Sequence, residues 1–200
     1  MRTRKYFLIF FLLASCTRSA DETSSKLVPF SQGEKWGYKN ENGQVAIKPQ
    51  FFLANDFSAE GIATVIDDTG WAYINTKGTI VIRPFLFDNG PDDFQEGLAR
   101  FTSNNKFGFF DKTGKVVIEP RFDFVTPFQE GLAAICQGCK EELVGEHGFM
   151  EGGSWGYINQ QGETVIPPKF EEARSFINGQ AEVKRDGKWI RIDKTGTVIP

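Results

Sequence analysis

All four tryptophans of this chain stand at one phase of a repeating pattern. They are Trp36, Trp71, Trp155 and Trp189, with Phe107 in the remaining equivalent place, at steps of 35, 36, 48 and 34 residues. A period in this range is the mark of a repeat architecture, in which one unit is too small to bury its own faces and must stack on its neighbours. Other positions keep the same phase. Two residues after the aromatic come Tyr38, Tyr73, Phe109 and Tyr157, and seven after it come Gly43, Gly78, Gly114, Gly162 and Gly196. Thirteen after it come Pro49, Pro84, Pro120 and Pro168, and a Gly-x-Ala step recurs at Gly61/Ala63, Gly97/Ala99, Gly131/Ala133 and Gly179/Ala181.

Each element has a local reading. In Trp36-Gly37-Tyr38 the two rings alternate with glycine, which sets both on one face of a strand and leaves the other face bare for a close neighbour. Asn40-Glu41-Asn42-Gly43 and its four counterparts place Asn or Asp first and Gly fourth, the pattern of a type I hairpin turn ending in a left-handed glycine. The β-branched runs Val45-Ala46-Ile47, Ile80-Val81-Ile82, Val116-Val117-Ile118 and Val165-Ile166 follow as strands, which the proline is expected to end. A Phe-rich connection leads to the Gly-x-Ala strand. Counted from that strand, residues 27–200 hold five three-stranded antiparallel meanders. The predicted class is all-β, a tandem array built as a solenoid or a propeller-like ring, with Trp36, Tyr38, Trp71, Tyr73, Phe107, Phe109, Trp155, Tyr157 and Trp189 as its repeated core.

The motifs Lys35-Trp36-Gly37-Tyr38 and Trp155-Gly156-Tyr157-Ile158-Asn159, with their Gly turns, Val-Ile-x-Pro strands and Gly-x-Ala steps, resemble the WG (KWG) repeat family over about residues 26–200. Ala72, Phe107 and Ile190 depart from the pattern without changing its phase. The resemblance implies a β-repeat scaffold of the bacterial envelope with a binding role, no cofactor and no catalytic residues.

The N-terminus is of another kind. Arg2, Arg4 and Lys5 precede an apolar run from Phe7 to Ala14, too short to span a bilayer and laid out as a signal peptide. Leu13-Ala14-Ser15-Cys16 resembles the lipobox of bacterial lipoprotein precursors, which implies removal of residues 1–15 and acylation of Cys16. More than one acyl chain then anchors the protein stably. Residues 16–26 read as the lipidated cysteine and a polar, flexible tether. Thr17 is not the aspartate that retains such proteins in the inner membrane, so the outer membrane is favoured in a Gram-negative host. Losing residues 1–15 removes three positive charges and moves the formal net charge from −3 to −6. With no basic cluster left, nucleic acid is a poor partner.

The 48-residue step places an insertion loop at 136–154, holding Cys136, Cys139, Glu141, Glu142, the sole histidine His147, and Gly152-Gly153. In an exported protein a Cys136–Cys139 disulfide is the first reading. The alternative is a metal or redox module on Cys136, Cys139 and His147, although the second cysteine pair typical of zinc sites is missing, and neither a helix N-terminus nor nearby cations favour a thiolate. A catalytic triad would have to use His147, which lies in no nucleophile-elbow setting. The adjacent carboxylates Asp67/Asp68, Asp92/Asp93, Glu141/Glu142 and Glu171/Glu172 read as solvated turn faces. The sequence therefore predicts a non-enzymatic scaffold. Its expected contacts are the membrane, through Cys16, and an unknown protein or cell-wall polymer.

Overall fold

The computed structural model describes residues 26–144 and 147–200, with no side chains from 143 to 149. Cys16 and the segment before it lie outside the described residues, and so does the side chain of His147. Every regular element described is a strand. Sheet I holds β1 (Val28–Gln32), β2 (Lys35–Lys39) and β3 (Val45–Phe51); sheet II holds β4 (Leu53–Ala54), β5 (Ile62–Asp67), β6 (Gly70–Asn75) and β7 (Ile80–Ile82). A small hairpin follows, β8 (Leu86–Phe87) with β9 (Gly90–Pro91). Sheet III holds β10 (Leu98–Ser103), β11 (Lys106–Asp111) and β12 (Val116–Phe122). Sheet IV holds β13 (Phe124–Val125), β14 (Leu132–Val144), β15 (His147–Asn159) and β16 (Thr164–Phe170), and sheet V holds β17 (Glu172–Ala173), β18 (Gln180–Arg185), β19 (Lys188–Asp193) and β20 (Val198–Ile199).

The five expected meanders are thus present, all antiparallel. The predicted Asx turn forms in every one. Asn40, Asn75, Asp111, Asn159 and Asp193 each accept the amides two and four residues on through Oδ1. The glycine that closes each turn has φ between 77° and 82°, where a side chain would be strained.

Core clusters lie between successive sheets. Tyr38, Ile47 and Ile74 join I to II; Ile62, Tyr73 and Phe110 join II to III; Phe109, Phe122 and Ile135 join III to IV; Tyr157, Phe170 and Val183 join IV to V. Burial runs from sheet to sheet, so each unit supplies what its neighbour lacks. The Phe of each connection stacks on the Tyr-position ring, at centroid separations of 4.7 Å for Tyr38–Phe57, 6.0 Å for Tyr73–Phe94, 4.6 Å for Phe109–Phe128 and 4.8 Å for Tyr157–Phe176. Tyr38 and Tyr157 are fully buried and donate their hydroxyls to Asn55 O and Arg174 O, both at 2.7 Å. Burial pushes both phenol pKa values up.

Two expectations need correction. The proline does not end the third strand: β3, β12 and β16 run through Pro49, Pro120 and Pro168 to Phe51, Phe122 and Phe170. They do so by bulging. Trp36 pairs with Phe51 but Tyr38 with Ile47, and the same slip recurs at Phe107/Phe109 and Trp155/Tyr157. The bulge swings the proline backbone under the glycine of the middle strand, so a Cβ on Gly37, Gly108 or Gly156 would sit 2.7–2.8 Å from the proline nitrogen. Proline fits because a bulge needs no ladder donor there.

The second correction concerns the insertion. Residues 136–144 and 147–154 form no loop; they extend β14 and β15 as a paired arm, in one register from Leu132↔Asn159 to Val144↔His147. The glycines of this stretch act as kinks inside the ribbon, with Gly138 at φ 81°, Gly152 at 72° and Gly153 at 69°.

Candidate functional site

The Tyr position and the Trp position have different fates. Tyr38, Phe109 and Tyr157 are wholly buried, whereas Trp36, Trp71 and Phe107 are only half-buried. Trp155 is buried, and Trp189 is 42% exposed, so it is not a core residue. The Trp position sits on the middle strand of each meander, and in sheets I, III and IV that strand packs beside the leading strand of the next unit.

In the last three units these positions line a groove. Phe85 packs on Phe107 at 4.9 Å, Phe107 on Phe124 at 5.3 Å, and Phe124 on Trp155 at 5.9 Å. One cavity, of about 390 Å³, is lined by Phe87, Arg100, Trp155, Glu172, Arg174 and Trp189, among others. A second, of about 590 Å³, is lined by Phe107, Asp123, Cys139 and Lys140, and both touch Phe85, Phe124, Glu141 and Met150. Each volume falls in the roughly 300–1,000 Å³ of small-molecule sites. Glu141 and Met150 pair across the arm, so the insertion builds one wall.

Three ion pairs hold charged groups of the groove. Arg100 and Asp92 form a buried two-point ion pair, Nε–Oδ2 at 2.7 Å and Nη2–Oδ1 at 2.8 Å, and Arg100 also donates to Val125 O at 3.1 Å. Its guanidinium lies 4.8 Å over Phe85 and 5.9 Å over Phe87, holding the β8–β9 strap in place. Lys184 meets Glu172 at 2.6 Å, Arg174 meets Glu182, and the Arg174 guanidinium lies 4.4 Å over Trp189. One donor is left over: Trp155 Nε1 is buried and has no hydrogen-bond partner among the described residues. A buried N–H without an acceptor costs about 1–3 kcal/mol.

Cys136 and Cys139 are joined as a disulfide, Cα atoms 6.1 Å apart, within β14. Residues three apart in a regular strand face opposite ways; the left-handed Gly138 between them turns both sulfurs to one side. Asp123 fixes that kink by accepting the Gly138 amide at 2.6 Å and the Lys106 ammonium. Among the described residues no three His, Cys, Asp or Glu side chains cluster as a metal site. The solvated-face reading of Asp92 is wrong: it is 6% exposed and paired with buried Arg100; sequence reasoning did not find Arg100, Phe85, Phe87, Phe124 or the Glu172/Arg174 edge. The visible signals were Asp88-Asn89-Gly90, a hairpin turn just after Phe85-Leu86-Phe87, and Ala72 in place of a repeat glycine.

No curated protein matches the chain. Among solved structures, a crystal structure of a eukaryotic initiation factor overlaps it at 15% identity and a TM-score of 0.37, covering 86% of this chain and 51% of that one. The chain thus spans about half the length of that structure, and a likeness of this size carries no argument about fold or role. The WG containing repeat matches at residues 36–68, 71–107, 107–140 and 155–189, each segment opening on the Trp position that sets the phase. Those segments cover well over half of the chain, which belongs to the WG-repeat family.

Proposed function

We propose that the protein is a non-catalytic lipoprotein of the bacterial envelope, anchored through acylated Cys16, whose WG array is a scaffold binding a protein or a cell-wall polymer. Outer-membrane placement is favoured in a Gram-negative host by Thr17. Among the described residues no helix is long and apolar enough to cross a membrane; the lipobox cysteine is the attachment point in this reading. The observation that carries the binding role is the groove itself. It combines half-exposed rings with Arg and Glu side chains already held in pairs, a surface suited to holding a ligand in a fixed pose. Of the groove's carboxylates, Asp92 is held by Arg100 and Glu172 by Lys184.

Two measurements test this. Fatty-acid labelling in cells should mark the wild-type chain and leave Cys16→Ser unmarked; label that persists on the variant overturns the anchor. A photo-crosslinking residue at Phe87, which is 65% exposed on the strap, should capture an envelope component in cells, in lower yield when Trp189→Ala is added. Capture that ignores Trp189 overturns the groove as the binding face.

A further inference from the structure

We propose that the groove over sheets III to V binds an uncharged oligosaccharide. The inference rests on the scaffold reading above and names the chemistry of its ligand. A pyranose ring presents an apolar, slightly positive C–H face to the negative face of an aromatic ring, and a rim of hydroxyls to planar polar groups. The groove offers both. Phe87 and Trp189 are 65% and 42% exposed and line it from the strap and from sheet V; Arg174 covers one face of Trp189 and so sets the face that a sugar would take. Glu141, Glu172 and Arg174 line the same cavity as acceptors and donors, Glu172 shared with Lys184 and Arg174 with Glu182.

Trp155 supplies the second, independent observation. It is buried, lines the same cavity, and its Nε1–H meets no acceptor among the described residues. A ligand hydroxyl that reaches this N–H as the cavity adjusts would satisfy it, turning a cost of the free protein into a contact of the complex.

Charge decides between ligand classes. The cavity's two arginines are both taken, Arg100 by Asp92 and Arg174 by Glu182, so no free cation of the lining selects a polyanion. A peptide adding to a sheet edge needs a free strand to pair with. The leading strands at the groove, Phe124–Val125 and Glu172–Ala173, are two residues long and too short to give it a ladder.

The test is calorimetric titration of the full chain, in detergent, with tetramers of β-1,4-linked N-acetylglucosamine and of β-1,4-linked glucose. Saturable binding of either supports the proposal, and which one binds tells an acetamido sugar from a plain hexose. Trp189→Ala should weaken that binding about tenfold, the scale of losing one ring platform. Trp155→Phe, which keeps the ring and removes the N–H, should weaken it about fivefold or more. No heat from either tetramer, or binding indifferent to both substitutions, overturns the proposal. The crosslinker at Phe87 separates the two readings: capture of a protein by a chain that binds neither sugar overturns the glycan and leaves the scaffold, whereas failure of both removes both.

Discussion

Sheets I, III and IV pass the chain to their successors in one way and sheet II in another. In the three, the glycine after the aromatic admits the bulged proline segment, and the strand ends on a phenylalanine only 2–3% exposed: Phe51, Phe122 or Phe170. In sheet II that glycine is Ala72, fully buried, and β7 stops at Ile82. Pro84 leaves the sheet and bridges to Phe101 of the next one, and the Phe85 amide takes Arg100 O, as the Asn55 amide takes Thr64 O and the Thr126 amide Ala134 O. Pro84 therefore does the work of a leading strand. The chain so released returns as the β8–β9 strap, with Leu86 and Phe87 exposed, and the buried Arg100–Asp92 pair closes the junction. One methyl group at position 72 is enough to explain the divergence, because it would stand where the bulged backbone must pass. The groove owes its strap wall to it.

The largest test of this contrast is Asp92→Ala. It should cost about 4 kcal/mol in urea unfolding, because it leaves the Arg100 guanidinium buried and unpaired. Replacing both partners, as Asp92→Leu with Arg100→Met, should recover most of the loss. If Asp92→Ala costs under about 1 kcal/mol, the scale of an exposed pair, the junction is not held by this ion pair. The second test exchanges the key residue. Gly156→Ala should cost about 3 kcal/mol, since its Cβ would meet the Pro168 backbone in a packed sheet that cannot yield. The reverse change, Ala72→Gly, should cost only about 1 kcal/mol, mostly in backbone entropy. Equal penalties would dismiss the glycine as the cause of the two strand courses.

How much of this was legible follows from what a repeat exposes. The Asx-Gly turns, the strands and the phase of the rings were readable because each is set by residues close in sequence: Asn40 bonds only as far as Gln44, and Gly43 needs only its own φ. The different course of sheet II was hidden by arithmetic. The Trp71-to-Phe107 step of 36 residues is nearly the 35 of the step before, because a shortened third strand is offset by an added strap. Pro84 keeps its place in the sequence pattern while doing another job in space. The arm at 136–154 was misread for a different reason. Gly138, Gly152 and Gly153 look like loop residues, yet in a paired ribbon they let the strand turn sharply and bring Cys136 and Cys139 to one side. The groove was invisible because its walls come from three units, and no single repeat carries the pattern.

Smaller effects sharpen the contrast. Sheet IV has Tyr157 where sheet III has Phe109, at the same fully buried position. Tyr157→Phe should cost about 1 kcal/mol for the lost bond to Arg174 O, measured by urea midpoint. A neutral result would mean that the hydroxyl pairs equally well with water in the unfolded chain.

The smallest effect belongs to the polar group that finishes sheet II where a phenylalanine finishes the others. Arg83, just past the end of β7, donates to Trp71 O and holds Asp67 through two bonds, at 2.7 and 3.2 Å. Its hydrogen bond is the main reason the Asp67 carboxyl stands at a pKa of about 2, with the Thr69 hydroxyl and amide adding to it. An unfolded aspartate titrates near about 3.9. With the folded value the lower one, the contribution is fully present above the unfolded pKa and is lost as pH falls through the folded one. Arg83 is 39% exposed, so screening keeps the pair to about 1 kcal/mol or less. Asp67→Asn should therefore be slightly less stable than the wild type near neutrality, with the gap closing between about pH 4 and pH 2. A gap that persists unchanged to pH 2 would mean that Asp67 acts through its shape and its turn bond to Thr69, and that the end of sheet II does not depend on its charge.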